Sequence, residues 1–161
     1  MVDHALLEKA RKGFRECLRL ARERDVSGVS CLFSQTEEER VAYEAGKLKE
    51  ASTGQTVEYR LTLVAGGKRV SVSGNRPDKI TDTFQAGVSL LATGSAAHFS
   101  DYPSPSGIVR PRRHAERTAR LDQAGLISAC EAMLSPLSGH GPELCLSAGG
   151  LRKDSVSLLL T

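Results

Sequence analysis

The chain has 161 residues and a mass of 17.3 kDa, with four cysteines, no tryptophan and a formal net charge of +3. That length suits one domain with a sizeable core, or one domain and a short tail. An aromatic share of 4% argues against a base-stacking groove for single-stranded nucleic acid, and so small a positive charge argues against a dedicated DNA binder.

No run approaches the ~20 apolar residues that span a bilayer. The N-terminal stretch MVDHALLEKARKG lacks the apolar core of an export signal. Cys17, Cys31, Cys130 and Cys145 form no Cys-x-x-Cys pair, so they read as reduced thiols of a cytoplasmic protein.

Leu7, Ala10, Phe14, Cys17, Leu18 and Ala21 recur at spacings of three and four. They predict a first helix over Asp3–Arg24, with Asp3 as N-cap. Its other face carries Lys9, Arg11, Lys12, Arg15, Arg19 and Arg22 among Glu8, Glu16 and Glu23, the pattern of a solvated face. Val29, Cys31 and Phe33 then alternate with Ser30, Leu32 and Ser34 in a strand over Gly28–Thr36, with Cys31 as a small buried hydrophobe. The run Glu37-Glu38-Glu39-Arg40 reads as a tight turn or bulge. Neighbours along a strand point to opposite faces, so three adjacent carboxylates make a poor metal site.

Val41–Asn75 organises the chain. Two turn signals, Ala45-Gly46-Lys47 and Gly66-Gly67, separate runs with apolar residues on alternate positions. The strands are Val41–Glu44, Lys47–Thr53, Val57–Ala65 and Lys68–Ser73, with Val57, Tyr59, Leu61, Leu63, Val70 and Val72 facing one way. Asn75-Arg76-Pro77-Asp78 then starts a helix in which Asn75 caps and Ile80, Phe84, Val88 and Leu91 face inward to about Thr93, where Gly94 stops it.

Pro103, Pro105, Gly107 and Pro111 exclude regular structure over much of 95–120, which reads as a linker or extended arm. Asp122 caps a third helix, Gln123–Ser135, with Leu126, Ile127, Cys130 and Leu134 inward. Ser138–Pro142 is a loop. Leu144 and Leu146, followed by Val156, Leu158 and Leu160, predict a final hairpin turning near Gly149-Gly150. The chain ends directly after an apolar run, as expected of a piece of a longer protein or of a chain whose partner covers that end. The fold class is α+β: an N-terminal helix, an antiparallel β-meander packed by helices, and a C-terminal helix plus β-hairpin. Its segments are 1–94 (core), 95–120 (arm) and 121–161, the last packed on the same domain.

Chemistry is sparse. His4, His98, His114 and His140 belong to no His-Glu-x-x-His pair, and no Gly-x-Ser-x-Gly elbow surrounds a serine. Cys130 or Cys145 beside His140 would make a thiol enzyme, but their apolar neighbours favour buried thiols. Gly66-Gly67-Lys68 fails as a phosphate loop, because Arg69 and a strand follow it instead of Ser or Thr and a helix. No catalytic, metal-binding or cofactor-binding residue is assigned. One cationic cluster remains: Arg110, Arg112, Arg113 and Arg117, with Arg120, could pair with phosphates or an acidic peptide. Glu116 and Asp122 compensate it in part, and a soluble linker is the favoured reading.

The order of these elements carries a family resemblance. Gly46-Lys47-Leu48-Lys49-Glu50, a strand, Gly67-Lys68-Arg69, then Ser71-Val72-Ser73-Gly74-Asn75 before a helix resembles the N-terminal domain of the TldD/PmbA family, the modulators of DNA gyrase. The resemblance covers nearly the whole chain. Thr56-Val57-Glu58-Tyr59 replaces the family's Gly-Leu-Gly lead, and 95–120 matches no family motif. The resemblance implies cytoplasmic zinc metallopeptidases acting on unfolded or short peptides, often as paired subunits of which one carries zinc. The His-Glu-x-x-x-His motif lies in the family's C-terminal half, and no residue here matches it. The expectation is therefore a non-catalytic N-terminal domain serving subunit assembly and peptide access, with zinc in the parent protein alone. Its partners would be the C-terminal domain of the same parent chain, a related subunit in a homo- or heterodimer, and peptide substrate, with neither membrane nor nucleic acid. The alternative is a stand-alone interaction module whose Arg110–Arg120 arm binds an acidic protein or nucleic acid.

Overall fold

Alternation of period two, punctuated by glycine turns, builds the sheet, and two amphipathic helices cover one of its faces. The computed structural model describes residues 4–99, 116–139 and 147–160. The elements are α1 (His4–Glu23), β1 (Gly28–Glu44), β2 (Lys47–Ala65), β3 (Lys68–Gly74), α2 (Ile80–Leu90), β4 (Ser95–Ala96), α3 (Glu116–Ala119), α4 (Gln123–Ser138) and β5 (Ala148–Leu160). The strands form one sheet in the order β4-β3-β2-β1-β5. The fold is α+β, as the pattern predicts. Among the described residues no helix is long and apolar enough to cross a membrane.

Both predicted turns are tight. Ala45 and Gly46 (φ 50° and 72°) and Gly66 and Gly67 (55° and 72°) hold positive φ at both central positions, the requirement of a type I′ hairpin turn. The chain divides into two units, 1–35 with 56–109 and 157–161, and 36–55 with 110–156.

In the first unit, α1 buries Ala10, Phe14, Cys17 and Ala21, and α2 buries Ile80 and Phe84. They meet Cys31, Phe33, Tyr59, Leu61 and Leu63 on the inner sheet face, with Val57, Val70, Val72 and Val88 packed around them. The β2–β3 register pairs Leu61 with Val72 and Leu63 with Val70, so the apolar positions share that face. Each fully buried side chain of this size stabilises by ~1.5–3 kcal/mol. Asn75 does not cap the second helix. A 3₁₀ turn over Pro77–Lys79 precedes α2, and no side chain caps either. Pro77 supplies no N–H that needs a cap, and Asp78 bonds Arg76 at 2.9 Å instead, which lowers the Asp78 pKa.

In the second unit the core formed by the described residues is Val41, Tyr43, Leu126 and Cys130, flanked by Ile127, Leu134 and Leu151. Asp122 caps α4 as expected, its Oδ1 accepting from the Gly125 N–H at 2.8 Å. The helix runs on through Pro136 to Ser138, three residues past the predicted end. Two expectations fail here. Glu37-Glu38-Glu39 is not a turn but lies within continuous strand, where cations on β5 compensate it: Arg152 meets Glu38 at 3.2 Å and Lys153 meets Glu39 at 3.6 Å. Gly149-Gly150 does not turn a hairpin; it lies inside β5, without positive φ. A Cβ on Gly150 would stand 2.5 Å from the Val41 carbonyl oxygen, so that glycine serves a close approach to β1. Leu144 and Leu146 lie outside the described residues.

The segment read as an arm contributes β4, paired to β3 through Lys68–Ala96 and Arg69–Ser95, and the short α3.

Candidate functional site

Two open grooves lie on the sheet, one in each unit. The first, about 490 Å³, is lined by Leu32, Ser34, Glu58, Tyr59, Arg60, Ser73, Gly74 and Asn75. Its lining comes from β1, β2, β3 and the residue just after β3, and apart from the core residue Tyr59 these positions are not buried. Arg60 stands opposite Ser73 and Tyr59 opposite Gly74. The groove mixes an apolar side chain, an anion, a cation and hydroxyls, a surface suited to recognition.

Tyr59 shows how this unit satisfies its polar groups. Its ring is buried and its hydroxyl lies 2.6 Å from Thr83 Oγ1. Thr83 donates its own proton to the Lys79 carbonyl at 3.1 Å, so Tyr59 is the donor of the first bond.

The second groove, about 420 Å³, runs between the end of β1 and the start of β5. Ala42, Gly149 and Gly150 contribute small residues to it, and Arg40, Lys49, Arg152 and Glu44 contribute charges. Lys49 pairs with Glu44. The Arg152 pKa is raised, first by its hydrogen bond to Asp154 and then by the charges of Asp154 and Glu38. Lys153 pairs with Glu39 and donates to the carbonyls of Ala119 and Leu121, which ties β5 to the start of α4. Three side chains of β1 carry buried polar atoms without a partner: the Gln35 amide in the first unit, and Glu39 Oε2 and the Tyr43 hydroxyl in the second. Burial pushes the Tyr43 phenol up, reinforced by Glu131 and Cys130.

Burial keeps Cys17 and Cys31 from acting as thiolates near neutral pH. Cys17, Cys31 and Cys130 are buried free thiols. Burial raises Cys17 to about 12 and Cys31 to about 11. Cys145, His114 and His140 lie outside the described residues. His4 and His98 are exposed, in α1 and just after β4 respectively. Among the described residues no grouping of His, Cys, Asp or Glu could hold a metal ion. Arg110, Arg112 and Arg113 lie outside the described residues; Arg117 sits on α3, and its side chain lies outside them too. Neither groove carries a local sequence motif. Each is assembled from residues of separate strands, which only the pairing brings together.

No family model matches the sequence, and no curated protein does. Solved structures match its fold. TldE from Thermococcus kodakarensis aligns over 92% of this chain with a TM-score of 0.72 and 10% identity. A putative modulator of a DNA gyrase from Thermotoga maritima aligns over 94% with a TM-score of 0.74 and 12% identity. A putative modulator of DNA gyrase from Bacteroides thetaiotaomicron aligns over 93% with a TM-score of 0.70 and 14% identity. This chain spans 35%, 34% and 36% of those proteins respectively. The chain has the fold that about a third of each of these proteins adopts, which is the fold the motif order implied.

Proposed function

We propose that this chain acts as the non-catalytic N-terminal domain of a TldD/PmbA-like metallopeptidase, or of its metal-free partner subunit. It contributes to subunit assembly and to the path by which a peptide reaches an active site carried elsewhere. The observation that supports this most is the agreement of two independent lines: the Gly46–Glu50, Gly67–Arg69 and Ser71–Asn75 motif order, and a fold shared over 92–94% of the chain with TldE and the gyrase-modulator proteins. The grooves fit the role chemically, since they offer hydrogen-bonding and charged groups without a paired nucleophile and base.

The test combines the purified chain with a zinc-loaded TldD-type catalytic subunit and a quenched-fluorescent peptide. The reading expects a stable complex on size exclusion, and no zinc-dependent hydrolysis by the chain alone. Zinc-dependent cleavage by the isolated chain would overturn it, and so would failure to associate.

A further inference from the structure

α1 sorts its charges around its axis. Six cations and three acids give the helix a net +3, the formal net charge of the whole chain, so the remaining residues balance. At about 100° per residue, Arg11, Arg15, Leu18 and Arg22 fall within a ~60° sector beside the buried stripe of Ala10, Phe14, Cys17 and Ala21. All four are exposed, Leu18 to 40%. Glu8, Glu16 and Glu23 fall outside the sector, on its side away from the buried stripe.

Those acids serve two arginines. Glu8 bonds Arg11 at 2.8 Å, and Glu16 bonds Arg19 at 2.6 Å with Glu23 on its other side. Among the described residues, Lys12, Arg15 and Arg22 have no acidic partner. The neighbours of Arg15 one turn away are Arg11, Lys12, Leu18 and Arg19, and none of them is an acid. Like charges at those spacings destabilise a helix, and an exposed leucine among them adds no burial. The patch therefore subtracts from the stability of the fold that carries it.

A helix that lies in a membrane surface buries its apolar face in lipid, and the apolar face of α1 is already buried in the core. A nucleic-acid backbone would match the arginines but give Leu18 nothing to bury against. Protein interfaces combine arginine with apolar contact. We infer that the Arg11, Arg15, Leu18 and Arg22 stripe of α1 docks an acidic amphipathic helix of a partner protein. Carboxylates of that helix meet the free guanidiniums of Arg15 and Arg22, while one of its apolar side chains covers Leu18. The stripe is ~16 Å long, about three helical turns, so a helix lying alongside repeats its spacings of four, three and four. The inference rests on α1 alone and is independent of the peptidase-domain reading.

The test titrates the whole chain into a fluorescein-labelled helical peptide of about 18 residues, long enough to hold its helix. It carries Glu, Glu, Leu and Glu at spacings of four, three and four on a background of Ala and Gln. A twin peptide has Lys in place of each Glu. Anisotropy should show binding of the acidic peptide and none of the twin, and the binding should fade as salt rises from ~0.03 M to ~0.3 M. Arg15→Glu should weaken it at least ~tenfold and Leu18→Ser about threefold. Lys47→Glu makes the same change in net charge at an exposed residue of β2 and should leave the affinity unchanged. Thermal unfolding should find Arg15→Glu no less stable than the native chain, because it relieves the like charges around it. Absence of binding to the acidic peptide, full affinity in Arg15→Glu, or an equal loss in Lys47→Glu overturns the inference. Tighter binding of a duplex oligonucleotide of matched charge also overturns it and assigns the stripe to nucleic acid.

Discussion

Two buried tyrosines on one sheet live in different surroundings. Tyr59, in the first unit, hands its proton to Thr83 within a core that includes Phe14, Phe33, Leu61, Leu63 and Phe84. Tyr43, in the second, keeps an unpartnered hydroxyl in a cluster with Val41, Leu126 and Cys130. The first unit is organised by apolar burial, with Tyr59 satisfied by Thr83 and the Gln35 amide buried without a partner at its margin. The second relies on a few apolar contacts and on the ion pairs of Arg152 and Lys153, and it retains unmatched buried polar atoms. Burial dominates folding free energy and an unpartnered buried group subtracts from it, so stability concentrates in the first unit. The second leaves its polar groups open to partners.

Deleting the same side chain in both units gives the largest contrast. Leu61→Ala should cost ~4–5 kcal/mol, because a dense core cannot close around the cavity, and Leu126→Ala ~2–3 kcal/mol, because a thin core can. Urea unfolding measures both, and equal losses would break the comparison. The next effect is on pH dependence. Cys17 and Cys31 stay neutral in the folded protein up to about 12 and about 11, whereas the ordinary value of a thiol is 9.0. Their raised pKa values contribute stability that is complete below pH 9 and is lost as pH climbs from there through 11 to 12. Between pH 9 and 10 the loss should be ~1–2 kcal/mol. A flat urea midpoint over that interval would show that the thiols reach solvent. The smallest effect is the sharpest in sign. Tyr59→Phe should destabilise by ~1 kcal/mol, while Tyr43→Phe should be neutral or stabilise by up to ~1 kcal/mol. A loss on Tyr43→Phe would mean that its hydroxyl has a partner after all.

The sequence was most legible where structure is local. The stripe of α1, the alternation in β2 and β3 and the two glycine turns all follow from short-range pattern, and so does the Asp122 cap. The misreadings have distant causes. Glu37–Glu39 looks like a break until Arg152 and Lys153 arrive from β5, and Gly149-Gly150 looks like a turn until Val41 is found against it. Asn75 looked like a cap because its residue type and the following proline fit one, but Pro77 opens a 3₁₀ turn that uses none. The grooves were illegible for a related reason. They depend on which strand pairs where, and the β3 register that stops at Tyr59 is written in no local motif.

The positive φ at Ala45, Gly46, Gly66 and Gly67 also bears on the order of folding. Turns already bent in the right sense let β1–β2 and β2–β3 zip from adjacent residues, on the ~1–10 μs scale of hairpin formation. β5 must first close the long loop back to β1, a slower event because its entropy cost precedes any gain in contacts. The meander is thus expected to mature before the last strand docks. Pulse-labelled hydrogen exchange should find the amides of Tyr59–Ala65 protected before those of Ala148–Val156, and the reverse sequence would contradict it. During synthesis, the edge of β1 then waits, hairpin already formed, for a strand made later.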